Sequence, residues 1–277
     1  MALEMALTTS KTATLERPAA TLGSIGPLEA RLAASRAEIG AAQALRYAVF
    51  FDEGGATPDG ASAAARRDIC AFDDICDHVI VVDRDANDGI VGAYRLLRQE
   101  AAGGSGFYSA AEFDVAPLVA RHRDKHFLEL GRSCVRRDWR NKRTLELMWR
   151  AIWKYARRHR VDVMMGCASF PGVDPHAHAS ALGYLWTHHR GEAAWRVTSR
   201  DPARIELQSF ASREFNPRRA FAALPPLIKG YLRLGAKVGE HAVIDHRFGV
   251  TDVFIVLPVE GIDQRYIDYY TDPPPDA

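Results

Sequence analysis

Cysteine is scarce in this sequence of 277 residues. The four cysteines, Cys70, Cys76, Cys134 and Cys167, include no C-x-x-C pair, which excludes a disulfide-rich scaffold and the common zinc motifs. We therefore expect buried thiols. No histidine or asparagine pattern accompanies Cys134 that would activate it as a nucleophile.

Long apolar runs are also missing. No window is apolar over the length needed to cross a bilayer, and Glu4 and Lys11 stand where a secretory signal needs a basic start and an apolar stretch. We expect a cytoplasmic protein. Its 36 basic and 35 acidic residues give a net charge of +1. The protein therefore lacks the broad positive field by which nonspecific nucleic-acid binders attract their partner. No nucleic-acid partner is predicted.

Several common site motifs are absent as well. The sequence has no G-x-G-x-x-G, no P-loop and no G-x-S-x-G, which removes the usual signals for dinucleotides, triphosphates and serine hydrolases. The segment DPHAH places His176 and His178 two residues apart. Two such imidazoles lie on different sides of a helix, so no metal site is predicted there or elsewhere.

The remaining composition, 47% hydrophobic, is enough for a substantial core. The Ala- and Thr-rich residues 1–27 show no periodicity and predict a disordered leader. We expect a single domain over 28–270, with a C-terminal extension from about residue 212. Residues 271–277 are expected to form a frayed tail.

Hydrophobic periodicity predicts an α/β layered structure. A helix is expected over 28–51, followed by an antiparallel hairpin of the runs 78–83 and 89–97. The later elements are predicted as a strand at 127–135, a helix at 142–159, a buried strand from Val161, a helix from Pro175, an amphipathic segment at 224–238 and a strand at 253–259.

The strand FLELGRSCV, from Phe127 to Val135, carries the candidate chemistry. Simple alternation places Glu129 and Arg132 on opposite faces. A β-bulge near Gly131 would let both charged groups border one cleft. The residues alone leave open that the two belong to separate structural ion pairs.

Cations crowd the turn after this strand. Arg136, Arg137, Arg140, Lys142 and Arg143 precede or open a helix, where positive charge is unfavourable unless an anion neutralises it. A phosphate or an acidic protein would do so, and an ordinary solvent-exposed loop stays open as the alternative. A second basic stripe, Lys229, Arg233 and Lys237, fits an acidic protein, an anionic membrane surface or solvent.

The order of several separated blocks resembles one family. These blocks are RYAVFFDE, FDD, IVGAYRLL, FLELGRSCV, RNKRT followed by LMW, and the long segment beginning LPPLIKGYLRLGAKV. Together they are similar to the L-ornithine Nα-acyltransferases of ornithine lipid synthesis, which belong to a branch shared with acyl-homoserine lactone synthases. The resemblance spans about Leu45 to Tyr270. It implies a GNAT acyltransferase fold, an α/β structure with a mixed central sheet and a splayed central strand.

The resemblance also implies roles for individual residues. It makes Glu129 and Arg132 the catalytic candidates. Its substrate-binding candidates are Arg46, Phe50, Glu53, Asp73, Arg95 and Ser133. Its acyl-carrier and phosphopantetheine candidates are Cys134, Val135, Arg137, Arg140, Asn141, Lys142, Arg143 and Thr144.

The turn departs from that of coenzyme A-dependent GNAT enzymes because RNKRTL contains no glycine. With its surplus of cations it suits acyl carrier protein, whose 4′-phosphopantetheine thioester would be the co-substrate. No permanently bound cofactor is expected. Peripheral contact with the inner membrane surface is compatible with the lipid product.

The implied reaction transfers a fatty, 3-hydroxyacyl type group to the α-amine of L-ornithine. Glu129 would accept the amine proton directly or through water, and backbone N–H groups near Cys134 and Val135 would stabilise the oxyanion. Glu53 and Asp73 would recognise the cationic side chain. The alternatives are a lactone synthase-like or other N-acyl amino acid synthase, and a non-catalytic module that binds carrier protein or lipid.

Overall fold

A nine-stranded sheet forms the centre of the protein. The structure, a computed structural model, describes residues 21–85, 89–211 and 215–271. The strands are β1 Thr21–Ile25, β2 Leu28–Leu32, β3 Asp77–Asp83, β4 Ile90–Arg98, β5 Phe127–Val135, β6 Val163–Pro171, β7 Ile205–Glu206, β8 Lys237–Asp245 and β9 Val250–Pro258. Their spatial order is β1-β2-β3-β4-β5-β6-β9-β8-β7. Among these pairs β5 and β6 are parallel and the others are antiparallel.

Helices cover both faces of the sheet. They are α1 Arg36–Tyr47, α2 Gly60–Ala65, α3 Gln99–Ala102, α4 Ala116–Arg121, α5 Lys142–Arg158, α6 Ala179–His189, α7 Gln208–Ala211, α8 Pro217–Ala223, α9 Pro226–Arg233 and α10 Gln264–Thr271. Helix α5 packs over β1, β2 and β3, whereas α1 packs over β3, β4 and β5 from the other side. None of the helices in the described residues has the length and apolar character needed to cross a membrane.

The central strand and its helix lie where the pattern predicted them. Strand β5 has the predicted bounds, and α5 ends one residue before the predicted end. Leu147, Met148 and Ile152 of α5 are buried on the sheet, as the i, i+4 spacing requires. Asn141 caps the helix by accepting a hydrogen bond from the backbone N–H of Thr144 at 3.0 Å.

The predicted leader is wrong at its C-terminal end. Residues 1–20 lie outside the described part, but Thr21–Ile25 forms β1 and pairs with β2 through the turn at Gly26 and Pro27. The predicted helix over 28–51 is wrong at its start. Its first residues form β2, and α1 begins only at Arg36, where Ser35 caps the helix. Short alternating patterns such as TLGSI and LEARL gain their stability from packing under α5 rather than from local propensity.

The predicted C-terminal extension, about the last quarter of the chain, is built into the same sheet. Strands β8 and β9 follow residue 214, and β9 lies directly beside β6. The predicted basic stripe is not continuous, because α9 ends at Arg233 and Lys237 opens β8. Gly235, with a φ of +93°, makes the turn between them. Of the predicted frayed tail, Thr271 is the last residue of α10 and 272–277 lie outside the described residues.

Candidate active site

The sheet opens between β5 and β6. These strands pair from Phe127↔Val163 to Glu129↔Met165, and beyond that point β6 continues to pair with β9. The backbones cross closely where they part, since a Cβ atom on Gly166 would lie 2.3 Å from the carbonyl oxygen of Leu130. Glycine is required there. The splayed central strand implied by the resemblance is therefore present.

A β-bulge re-aims the side chains of β5. Ala93 pairs with Cys134 and Arg95 with Gly131, so β5 carries one residue more than β4 in this interval. The extra residue takes up the bend at Arg132, whose φ is +54°. The predicted bulge is thus confirmed. It brings Glu129 and Arg132 to the wall of one cavity.

The cavity occupies the opening and has a volume of about 410 Å³. Its apolar wall comes from Val49, Phe50, Leu130, Leu227 and Phe248. Its charged wall consists of Arg95, Glu112, Glu129, Arg132, Asp245 and Asp252. A mostly apolar cleft with a few convergent charges is typical of a small-molecule site.

A π-helix brings aromatic side chains to the cavity. Ala48–Glu53 continues α1 as π-helix, a conformation that is rare and frequent at functional sites. It places Phe50 in the wall, where its ring meets that of Phe248 edge-on with centroids 5.9 Å apart. Phe50 therefore lines the cavity, and its contact with substrate stays a prediction.

Glu129 is buried, and backbone N–H groups hold both oxygens of its carboxylate in place. Its two carboxylate oxygens accept hydrogen bonds from the N–H groups of Tyr108 and Ser109, each at 2.7 Å. Burial raises the pKa of Glu129 above its ordinary value, although these hydrogen bonds oppose the rise. A carboxylate held in place with a raised pKa is suited to accept a proton near neutral pH.

Arg132 is fixed between an acid and two aromatic rings. Its Nε donates to Asp68 at 3.1 Å and its Nη2 to the Tyr108 hydroxyl at 3.0 Å. Its guanidinium carbon lies 4.6 Å from the centre of the Tyr108 ring and 4.5 Å from that of Phe248. Burial disfavours the charged guanidinium and so lowers the pKa of Arg132. The interactions with Tyr108 and Asp68 outweigh this effect and hold the pKa above its ordinary value. It remains a cation in the cavity wall.

A buried ion network lies behind Arg132. Arg46 binds Asp68 and Asp73, both at 2.8 Å, and Arg95 binds Asp73 at 3.3 Å. Burial disfavours the charge on Asp73, but Arg46 and Arg95 together hold its pKa below the ordinary value. Arg46 and Asp73 do not reach the cavity wall, so the structure places them as supports of Arg132 and Arg95 rather than as substrate contacts.

Two further sequence candidates have structural partners. Glu53 pairs with Arg140 at 2.7 Å outside the cavity wall. Arg140 also donates to the carbonyl oxygen of Val135 at 2.9 Å, so it closes the end of β5. Both acids predicted to recognise the ornithine side chain, Glu53 and Asp73, thus pair with arginines outside the cavity wall, and their part in substrate recognition stays a prediction.

Ser133 and the thiols have different environments. Ser133 lines the cavity beside Tyr94, whose hydroxyl lies 2.6 Å from that of Tyr231 on α9. Cys134 points away into a cluster with residues of α1, and burial raises its pKa to about 12. Burial also raises the pKa of Cys167, in the cavity wall, well above its ordinary value. Neither thiol is activated as a nucleophile.

The turn between β5 and α5 presents the predicted cations to solvent. Arg137, Lys142 and Arg143 are exposed, and none pairs with a carboxylate in the part of the chain that the structure describes. Thr144 is buried, and Asn141 occupies its N–H as the helix cap. The N–H groups of Lys142 and Arg143 remain at the helix start, where geometry leaves them without intrahelical acceptors.

Val135 offers a backbone donor toward the opening. The backbone N–H of Arg136 donates to the carbonyl oxygen of Val91, which shows which residues of β5 turn their N–H groups toward β4. Alternation then directs the N–H of Cys134 toward β4 and the N–H of Val135 away from it. The Arg140 bond to the Val135 carbonyl agrees with this orientation. Of the two predicted oxyanion donors, Val135 is the one whose N–H points away from β4, on the side of β5 that faces β6, although Val135 itself lies beyond the residues that line the cavity.

The sequence reasoning missed five residues of the site. They are Asp68, Tyr108, Glu112, Asp245 and Asp252. Only Asp252 carried a visible signal, as a lone carboxylate within the apolar strand VTDVFIVLP. The others come from loops or element ends, where neither periodicity nor a motif marks them.

Comparisons with known proteins identify close relatives. Residues 45–150 match the family model described as an acetyltransferase (GNAT) domain. An "L-ornithine N(alpha)-acyltransferase" of Agrobacterium fabrum is 51% identical over 90% of this chain and 86% of its own length. A protein of the same name from Rhizobium meliloti is 50% identical over 90% of this chain and 86% of its own length. Among solved structures, an N-acyl amino acid synthase from uncultured soil microbes has 12% identity and a TM-score of 0.48, covering 84% of this chain and 91% of that one.

Proposed function

Because this chain belongs to the L-ornithine N(alpha)-acyltransferase family, we propose that it transfers a fatty acyl group from acyl carrier protein to the α-amine of L-ornithine. The enzyme is an acyltransferase with a GNAT domain. The observation that carries the proposal is the cavity in the opened sheet, with Glu129 on one strand and cationic and anionic side chains around it. Such a cavity fits an amino acid that bears charges of both signs.

The proposed chemistry begins with loss of a proton from the α-ammonium. Glu129 accepts that proton, and the free amine nitrogen attacks the thioester carbonyl carbon. The Val135 N–H supports the oxyanion as the tetrahedral intermediate forms. The C–S bond then breaks, the C–N bond remains, and the nitrogen gives up the second proton that it must lose to become a neutral amide, while the pantetheine thiolate leaves and takes up one proton. The products are N-acylornithine, which is a lyso-ornithine lipid, and the free carrier thiol.

The arginines supply the opposite charge. Arg95 and Arg132 are the two cations of the cavity wall, and both are held in place by buried carboxylates. We assign them to the α-carboxylate of the amino acid, since guanidinium groups recognise carboxylates with defined geometry. This assignment places the α-amine beside Glu129, the next charged residue along β5.

A purified-enzyme assay tests the function. With 3-hydroxyacyl carrier protein and L-ornithine we expect release of the carrier thiol and formation of N-acylornithine, detected by a thiol reagent and by mass spectrometry. Reactions without ornithine are the control. Release with S-adenosylmethionine but not with ornithine would support a lactone synthase instead, and no release with any acceptor would support a non-catalytic binding module.

We assign the carrier protein to the exposed cations of the β5–α5 turn. Arg137, Lys142 and Arg143 surround the start of α5, next to the Val135 end of the opening. An acidic protein bearing a phosphopantetheine arm matches this arrangement, because the phosphate meets the helix N-terminus and the protein meets the cations. Contact of the enzyme with membrane lipid stays a prediction.

Charge reversal tests the docking surface. The double variant Arg137→Glu and Arg143→Glu is expected to weaken carrier binding by about tenfold or more in low salt, because attraction becomes repulsion. Arg158→Glu, at the far end of the same helix, is the matched control. Calorimetric titration with carrier protein measures both. Equal affinities for the two variants in low salt would contradict the assignment.

A further inference from the structure

Three carboxylates meet on the wall of the cavity opposite the ion network. Glu112, Asp245 and Asp252 each offer a carboxylate oxygen, and these oxygens all lie within 4.8 Å of one another. Asp245 ends β8 and Asp252 lies on β9, so the β8–β9 hairpin brings the two together. Glu112 reaches the same point from the segment after the 3₁₀ turn Tyr108–Ala111. All three line the cavity.

No cation of the described chain compensates this cluster with an ion pair. The backbone N–H groups of Arg247 and Phe248 bind one oxygen of Asp245 at 2.8 and 2.9 Å. Glu112 accepts a weak hydrogen bond from the Cys167 thiol at 3.7 Å. Mutually close carboxylates repel one another, and the charge of Arg132, which lowers the pKa of Glu112 and of Asp252 without forming an ion pair, offsets only part of this cost.

Asp252 gives the second, independent sign of a ligand. Its side chain is only 5% exposed, and its Oδ1 atom has no hydrogen-bond partner among the described residues. Buried polar atoms are nearly always paired, so an orphaned carboxylate oxygen in a cavity wall marks a place for an external donor. The raised pKa values of two carboxylates in the cluster point to the same need for a positive partner. Burial and Asp252 raise the pKa of Glu112 to about 7, and burial raises the pKa of Asp252 to about 6.

The charge balance of the cavity specifies the sign of the missing group. The wall carries the carboxylates of Glu112, Glu129, Asp245 and Asp252 against the guanidiniums of Arg95 and Arg132. Both guanidiniums also bind acids of the buried network. The surplus negative charge therefore lies at the Asp252 side, and it calls for a cationic group with several hydrogen-bond donors. An alkylammonium has one positive charge and three N–H donors.

We propose that Glu112, Asp245 and Asp252 form the subsite that binds the side-chain ammonium of the acceptor amino acid and so select a diamino acid over a neutral one. This inference rests on the function proposed above. It divides the cavity among the charges of one substrate, with the carboxylate at the arginines, the α-amine at Glu129 and the distal amine at the cluster. Specificity then arises because a neutral side chain would leave the buried Oδ1 atom of Asp252 without a donor, although Ser169 still bonds to the carboxylate.

Comparing ornithine with norvaline tests the subsite, since norvaline has the same carbon chain without the distal amine. Wild-type enzyme should prefer ornithine in kcat/KM by about 10²-fold or more, because an unpaired buried carboxylate penalises the neutral analogue. Asp252→Asn should raise the KM for ornithine by about 10- to 100-fold while kcat changes little, as expected on loss of uniform binding. Its rate with norvaline should stay the same or increase. Glu260→Gln, which removes an exposed carboxylate paired with Lys125, is the control for loss of one charge.

A stability measurement separates binding from a structural role. Asp252→Asn should leave the melting temperature at pH 8 unchanged or raise it, because it removes a buried charge whose folded-state pKa is raised and whose ionisation therefore opposes folding at high pH. Asp245→Asn is the second variant if the first does not fold, since its remaining amide oxygen can still accept the two turn N–H bonds.

The outcomes distinguish the inference from the function on which it rests. If wild-type enzyme acylates ornithine and both variants keep the wild-type preference over norvaline, the subsite is wrong and the function stands. If wild-type enzyme does not acylate ornithine, the function itself is wrong. Loss of activity with a chelator and recovery with Mg²⁺ or Ca²⁺ would overturn the ammonium assignment in favour of a metal.

Discussion

Replacing Glu129 by glutamine is expected to lower kcat by about 10²- to 10⁴-fold, the usual contribution of a positioned general base. The amide cannot accept the proton that the α-ammonium must lose before attack. Wild-type kcat/KM should rise with pH as Glu129 loses its proton, through a pKa that burial has raised. This limb of the pH profile should be absent from the variant. Initial rates of thiol release between acidic and alkaline pH measure both effects.

The structural role of Glu129 requires a separate readout. Glutamine keeps one oxygen acceptor for the N–H groups of Tyr108 and Ser109 but turns an N–H₂ group toward the other donor. We therefore expect a loss of about 1–3 kcal/mol in the free energy of unfolding. Carrier affinity should be unchanged, and Glu100→Gln, an exposed charge, serves as the control. A variant that retains wild-type kcat and the wild-type pH profile would remove Glu129 from the mechanism.

Arg46→Met is expected to lower the free energy of unfolding by about 3–5 kcal/mol, because it removes the guanidinium shared by the buried Asp68 and Asp73 and leaves them only their pairs with Arg132 and Arg95. Arg46 is 1% exposed, so water cannot replace its guanidinium. Arg36→Met on the same helix removes an arginine that pairs with Asp74 at the surface, and should cost no more than about 1 kcal/mol. Denaturant unfolding of the three proteins measures the difference.

Measuring the KM for ornithine on the same variants separates a structural role of Arg46 from a substrate-binding role. A structural arginine gives a large loss of stability. A substrate-binding arginine, as the family resemblance implies, gives a raised KM for ornithine in a protein of normal stability. The second result would contradict the placement of Arg46 behind the cavity wall.

The sequence predicted those elements whose signal is local and strong. Strand β5 and helix α5 could be placed because an apolar run changes to helical spacing at a basic turn, and the hairpin of β3 and β4 because two β-branched runs flank a short turn. Strands β1 and β2 could not, since they are short and acquire their apolar environment from α5, more than 100 residues later in the chain. Tertiary packing overrides weak propensity in such segments.

The candidate site could be predicted only along one strand. Glu129, Arg132 and Ser133 follow one another on β5, so a single bulge brings them to the cavity. The acidic cluster joins Glu112 to Asp245 and Asp252, which lie far apart from it in the chain, and the pairing of β9 with β6 that sets the β8–β9 hairpin beside the cavity has no local signature. The pairing of Asp73 with Arg46 and Arg95 inside the core likewise has no local signature, since the two arginines lie on α1 and β4.

The short pairing between β5 and β6 has a mechanical consequence. A sheet resists opening because each strand is bonded along its length, but among the described residues the strand ladder that joins the half-sheet β1 to β5 with the half-sheet β6, β9, β8 and β7 runs only from Phe127↔Val163 to Glu129↔Met165. The halves therefore meet at a seam, and the cavity lies at its open end. Spreading the seam widens the cavity while breaking few hydrogen bonds. We therefore expect a long acyl chain to enter or leave by a small rotation of one half-sheet against the other, with the hairpins on each side kept intact.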